Sequence, residues 1–273
     1  MNSVKKIITP YPDTLIEYVK KTYAFRSLIS TYAERDLKIK YAQTWLGLGW
    51  SILQPTISVT IYTVIFNVLL NVKVDDSNYV LFVLSGILCW NLFVSIFNTG
   101  CNSLMSNQAT IKKMALPKII FPLSQVLVSL VEFTIIFVLL LIAFAFFGGD
   151  FSYRTLLFPL PIFGLILLSL SLALIVLTYS IKRRDLLHFA PIAVQFSIWL
   201  TPVFFPVYII PEQYVKYLYL NPVAAMIDFF RWSVGIQNNF SVMFFVSLSL
   251  IIVFFVFAVY LFKNKEDKFV DYL

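Results

Sequence analysis

Apolar residues in this chain come in long unbroken runs, not in alternation. Runs at 52–70, 79–97, 119–147, 156–181, 189–205 and 242–262 approach or exceed the length that crosses a bilayer. A membrane helix needs about 20 mainly apolar residues, whereas a barrel strand needs about 10 that alternate. The pattern predicts an all-α polytopic membrane protein with six transmembrane helices, and it excludes a β-barrel. The third run is longer than a span requires, so it must tilt, kink or project beyond the hydrocarbon. Pro122 marks its start, and Gly148-Gly149-Asp150 should end it. The fifth run carries Pro191 and closes on Pro202 and Pro206, so it should be broken or short.

Ahead of the first run the pattern changes. Residues 15–32 predict a short helix that Glu17, Lys20, Lys21 and Arg26 keep out of the bilayer. Ala33, Leu37, Tyr41 and Trp45 then repeat every four residues, one imperfect apolar stripe on an amphipathic helix at the membrane surface. Gly47 and Gly49 fall where that helix must turn into the membrane, and glycine tolerates the backbone angles required. Residues 206–240 are too apolar for water and too interrupted for a span. Pro211 and Pro222 suit the first turns of two short helices, with Asn221 as a cap, lying at or dipping into the outer leaflet. The chain divides into a cytoplasmic N-terminal region (1–49), a membrane domain (50–262) and a tail (263–273).

Charge fixes the expected orientation. Of 21 Lys and Arg, seventeen lie in the N-terminal region, near 98–118, near 182–188 and in the tail. Only Lys73, Arg154, Lys216 and Arg231 lie on the opposite side. The positive-inside rule puts both termini in the cytoplasm. The net charge of +7 is therefore a topology signal, and no nucleic-acid partner is called for. Composition agrees: charged residues make up 13%, against roughly a quarter in soluble domains, and mean hydropathy is +0.85. No apolar core follows Lys5-Lys6, so no cleaved signal peptide is expected.

Catalytic constellations are missing from the sequence. It has no GxxxxGK[ST] loop to cradle ATP phosphates, and no Cys/His spacing around its one histidine, His188, suits a metal. Asp75-Asp76 falls on the outer side, away from cytoplasmic sugar nucleotides, which disfavours a membrane glycosyltransferase. Cys89 and Cys101 would be about 18 Å apart on one helix, too far for a disulfide. Glu132 is the one acid deep in a predicted span. Such carboxylates count as functional hypotheses, but Gln125, Ser129 and Thr134 give the same helix a polar face that could simply pack inward. No proton-relay partner for Glu132 is visible. Aromatics number 48 (Phe 28, Tyr 15, Trp 5). Most must face lipid or fill the core, yet ring faces also stack on sugars. Trp90, Phe93 and Phe97 form one such face, turned to a lumen or to lipid.

The segment Leu37-Lys38-x-Lys40-Tyr41-x-Gln43-Thr44-x-Leu46-Gly47-x-x-Trp50-x-x-x-x-Pro55 resembles the opening motif of permease subunits of ABC transporters that export bacterial surface polysaccharides. The resemblance extends to about Arg231, and Leu116-Pro117-Lys118 fits it with leucine where an aromatic is usual. It implies an inner-membrane exporter of lipid-linked polysaccharide, O-antigen foremost, with capsule or teichoic acid in the same class. It further implies a homodimer and a separate ATPase chain that binds the ATP, this chain needing no cofactor. Under that resemblance Asn107, Gln108, Ile111, Lys112 and Lys113 belong to a coupling helix on the ATPase, and Asn221, Pro222 and Arg231 to external re-entrant gate helices. Trp90, Phe93 and Phe97, with Tyr62 and Phe66, would line the pathway. Arg35, Lys38 and Lys40 would attract the pyrophosphate of an undecaprenyl-type carrier, although topology anchoring accounts for them too. The competing function is a small-molecule or drug exporter of the same permease superfamily.

Overall fold

A computed structural model describes residues 14–266 except 43, 75–77, 115, 149–152 and 181, together with 269. Expectations resting on Lys5, Lys6, Gln43, Asp75, Asp76, Gly149, Asp150 and Lys268 lie outside the described residues, as does most of the tail. Among the described residues the chain is helical and contains no strand.

The first helix, α1 (Leu15–Ala24), opens on a capping box: Glu17 N donates to Thr14 Oγ1 at 3.2 Å and Thr14 N to Glu17 Oε2 at 2.8 Å. Helix α2 (Arg26–Tyr41) follows, and then a turn in which Gly47 takes φ 52°. Gly49, expected to share that duty, has φ −60°, so only Gly47 uses the left-handed region. Helix α3 (Trp50–Tyr62) continues into a π-helical stretch, Thr63–Leu69. Asn78 caps α4 (Tyr79–Ser106), the short α5 (Gln108–Ile111) follows, and α6 (Ile120–Phe147) ends on a left-handed Gly148. The remaining helices are α7 (Pro159–Ser180), α8 (Leu186–Phe196), α9 (Glu212–Leu218), α10 (Pro222–Ser233) and α11 (Met243–Lys265).

Five of these segments are long and apolar enough to cross a membrane: 47–69, 79–106, 120–147, 153–180 and 243–265. The run expected as a further span forms the 11 residues of α8 and a 4-residue 3-10 turn, Ser197–Leu200. At about 1.5 and 2.0 Å per residue this reaches about 24 Å, short of the about 30 Å of hydrocarbon. Pro191 sits within α8, and the chain turns extended at Thr201 (φ −124°) just before Pro202. The prolines explain the shortfall.

Helix α4 is the centre of the bundle. It packs most extensively against α6 and α7, and α11 closes on α7. Lipid tails are as apolar as leucine, so close van der Waals fit and internal hydrogen bonds hold such helices together. The first span is the exception. Only Pro55 and Val59 of α3 are buried, and Ile52, Ile57, Ile61, Val64 and Val68 point away from the bundle.

Helix α2 does not lie apart on a surface. Its contacts with α6 advance in step: the Tyr32 ring meets that of Phe121 at 5.1 Å, Asp36 meets Gln125, and Lys40 and Tyr41 meet Glu132. The two helices therefore run side by side in the same direction, and the basic end of α2 comes to rest beside the acid of α6.

Candidate functional site

The end of α2, the start of α3 and the middles of α4 and α6 enclose a cleft of about 260 Å³. Its centre is Glu132. Tyr41 OH donates to Glu132 Oε1 at 2.6 Å, Ser95 Oγ donates to Oε2 at 3.1 Å, and Lys40 Nζ forms an ion pair with Oε1. Ser51 and Ser129 extend the network, to Tyr41 OH at 2.7 Å and to Ser95 at 2.9 Å. Burial, and after it the bond to Glu132, pushes the Tyr41 phenol up to about 12. Besides Ser95 on α4, the partners of Glu132 are thus Lys40 and Tyr41, at the end of α2 and ahead of the first span. Gln125, Ser129 and Glu132 share the inward face of α6, whereas Thr134 is exposed and bonds back to Leu130 O at 2.8 Å. Gln54, Asn91 and Trp50 complete the cleft wall. The residue pattern had singled out none of Asp36, Gln54 or Ser51, because their relevance depends on how α2 docks.

The three basic residues expected to act together are separated, and each has a carboxylate. Arg35 bonds Asp36 through Nε at 2.9 Å and Nη2 at 2.6 Å, stacks on Tyr32, and donates to Asn107 Oδ1 at 2.7 Å. Lys38 pairs with Glu34 at 2.6 Å on the exposed side, where the ammonium lowers the Glu34 pKa. Lys40 is held by Glu132. Arg35 and Asp36 thereby join α2 to two other elements, since Gln125 Nε2 donates to Asp36 Oδ2 at 2.6 Å.

Asn107 is the joint between α4 and α5. Its Nδ2 donates to Ser103 O at 2.8 Å while its carbonyl receives Arg35. Helix α5 is shorter than the expected 107–113 segment. Ile111 turns into the core, Gln108 Nε2 lies 3.1 Å from Met105 Sδ, and Lys112 and Lys113 stand exposed on the turn that follows.

On the opposite side, Asn221 caps α10: its Oδ1 accepts Val223 N at 3.0 Å, with Pro222 at the first helical position. Asn221 Nδ2 also donates to Thr201 Oγ1 at 2.8 Å. Arg231 is only 2% exposed. It donates to the carbonyls of Pro202 and Val203 at 2.7 Å each and of Phe82 at 3.1 Å, and lies 3.5 Å above the Phe82 ring centroid. This guanidinium ties α10 and the 201–204 turn to α4.

Trp90, Phe93 and Phe97 are 6%, 4% and 2% exposed, so this aromatic face is turned into the chain's own core. Trp90 and Phe93 touch at 5.5 Å, and Phe97 packs with Cys101, Ala173 and Leu187. Phe93 also reaches an apolar groove between α7, α8 and the 206–223 segment. Tyr62 at the end of α3 and Phe66 in the π-helical stretch are half-buried and meet the Phe204 ring at 4.6 and 5.0 Å, the first stacked and the second tilted. The Trp199 ring meets Phe204 edge-on at 5.0 Å.

The sequence profile of the ABC-2 type transporter membrane family matches residues 27–235. The chain belongs to this family. The match begins at the start of α2 and ends just after α10, so this ABC-2 chain carries α2, the Glu132 cleft and the Arg231 clamp within the shared region. It is 29% identical over 202 residues to an O-antigen export system permease protein of Klebsiella pneumoniae, covering 73% of this chain and 77% of that protein. A protein of the same description from Myxococcus xanthus is 25% identical over 80% of this chain and 84% of its own. The polysialic acid transport protein KpsM of Escherichia coli is 24% identical over 85% and 91%.

Proposed function

We propose that this ABC-2 chain is the membrane subunit of an ATP-driven exporter of lipid-linked polysaccharide, O-antigen above all, in a bacterial inner membrane. The observation that carries this reading is the breadth of the likeness: relatives described as O-antigen export permeases align over 73–90% of the chain. Without a P-loop of its own, the chain takes its ATP hydrolysis from a separate ATPase, docked at Lys112 and Lys113 beside α5. The charge bias supports cytoplasmic termini.

A homodimer suits the exposure of α3. Its outward face sets Ile57 and Ile61 beside Thr56 and Thr60, whose hydroxyls bond back to the carbonyls of Ile52 and Thr56, and small residues of this kind let a second helix approach closely. A second copy closing on α3 would enclose a passage with Tyr62, Phe66 and Trp199 near its wall. The carrier is an undecaprenyl-type lipid, and the polymer is held by ring stacking more than by charge.

Depletion tests the reading. Cells losing this protein should accumulate lipid-linked glycan on the cytoplasmic side and lose it from their surface. Normal surface glycan, with a small molecule or drug retained in its place, would assign the chain to the other branch of its superfamily.

A further inference from the structure

The Glu132 cleft holds polar groups that the fold does not use. Asn91 lies twelve residues into α4, about 18 Å along the helix from Tyr79, and is therefore at membrane depth. Among the described residues, neither the Asn91 amide nor the Gln54 amide has a hydrogen-bond partner, and both line the cleft. Leaving an amide unpaired in hydrocarbon costs several kcal/mol. Gln54 is exposed and Asn91 half-buried, so both amides are open to whatever enters the cleft. Trp50, 49% exposed, stands at the same wall.

The charges say what enters. Lys40 and Glu132 neutralise one another, and Arg35 and Lys38 are engaged by Asp36 and Glu34 outside the cleft. Among the described residues of the cleft, no unpaired cation awaits a phosphate. An acyl chain would leave both amides without a partner. A carboxylate, two amides, a hydroxyl and an indole face are instead the groups that bind a sugar ring: acceptors and donors for its hydroxyls, and a π surface for its C–H face. The volume of about 260 Å³ falls just under the about 300 Å³ where drug-sized pockets begin, which suits one ring.

We infer that this cleft is a sugar subsite, in which Trp50 stacks on one uncharged sugar ring and Gln54, Asn91, Ser95 and Glu132 hydrogen-bond its hydroxyls. Lys40 orients the carboxylate. The inference rests on the polysaccharide-export reading and gives it a site of first contact, where the end of α2 meets the first span. A bound ring would also compete with Tyr41 and Lys40 for Glu132, so occupancy would loosen α2 from α6.

Photocrosslinking tests it. The full chain carrying Trp50→p-benzoylphenylalanine, assembled with its ATPase in glycan-producing cells, should capture glycan on irradiation. The same photoprobe at Val253, exposed on α11, should not. Adding Gln54→Leu and Asn91→Leu should cut capture at 50 by about tenfold or more, the effect of one or two lost hydrogen bonds. Protein recovered with the ATPase should be unaltered. In nanodiscs, undecaprenyl pyrophosphoryl-N-acetylglucosamine should compete with capture, while undecaprenyl phosphate should not. No capture at 50, equal capture at 253, undiminished capture in the double variant, or equal competition by the sugar-free lipid would each overturn the sugar subsite. The export reading fails separately, if depleted cells accumulate no glycan.

Discussion

Arg231 and Gly86 fit together as bolt and slot. A Cβ at position 86 would lie 2.6 Å from Arg231 Nη2 and 2.3 Å from the Val203 carbonyl oxygen, which that same nitrogen holds. Neither atom can retreat without giving up the other. Gly86→Ala should therefore destabilise by about 1–3 kcal/mol, the usual cost of overpacking. Arg231→Lys should do comparable damage, since one ammonium cannot reach three carbonyls on two elements while stacking on Phe82. Thermal unfolding in detergent would check both, and wild-type melting of either variant would contradict the clamp.

The bond between Tyr41 and Glu132 carries its own pH signature. The phenol is raised from 10.0 to about 12 in the folded chain, so the neutral form is the one the fold favours. Its contribution is whole below about pH 10 and is lost as pH rises through about 12. Attachment of α2 should therefore be flat across neutral pH and weaken only in strong base. The phenolate absorbance of wild type minus Tyr41→Phe should show one group titrating near 12. A group titrating near 10 would mean that Tyr41 is free of the cleft.

The helices were legible in the sequence because long apolar runs leave few alternatives in a bilayer. Asn221-Pro222 and the 148 stop were legible as well, being local backbone chemistry. The 189–205 run was legible as a broken segment, though not in its final length. The cleft was not. Glu132 stood out as a costly acid, but its partners Lys40 and Tyr41 lie 91 or more residues earlier in the chain, and only the docking of α2 along α6 joins them. For the same reason Arg35, Lys38 and Lys40 read as one basic patch. A helix turns about 100° per residue, so Lys38 faces water with Glu34 while Arg35 reaches Asn107 and Lys40 reaches Glu132.

Orientation can be settled by labelling. Cys89 and Cys101 are both buried, so background should be low. Single cysteines at Asn78, Asp150 and Asn239 should react with an impermeant reagent from outside. Those at Lys113, Arg184 and Asn264 should not. Outside reaction at 113 or 184 would invert the topology.

If the turn after α5 meets the ATPase, Lys112→Glu with Lys113→Glu should leave the chain inserted but reduce recovery of the ATPase with it. Both lysines are exposed while Ile111 beside them is buried, so the charge reversal touches the surface and spares the core. Substrate-stimulated ATP hydrolysis should fall with the association. Unchanged co-purification and export would reduce these lysines to topology anchors.

The two aromatic groups should separate by what their loss damages. Phe93 and Phe97 are buried within the chain itself, so truncating either to alanine opens a cavity worth about 3–5 kcal/mol, and together they should prevent assembly. Tyr62, at the end of the sparsely covered α3, stacks on Phe204, and Phe66, in the π-helical stretch that follows, meets the same ring at a tilt. Removing one ring there should forfeit a contact of about 0.5–1.5 kcal/mol, too little to unfold the bundle. That same loss, repeated at each step of a sliding polymer, would slow export severalfold. Tyr62→Ala and Phe66→Ala should therefore insert normally, recover the ATPase normally, and export slowly, whereas Phe93→Ala with Phe97→Ala should fail before export can be measured. Slow export from a well-assembled Phe93 and Phe97 double variant would return those rings to the pathway and leave α3 to lipid or to the partner copy.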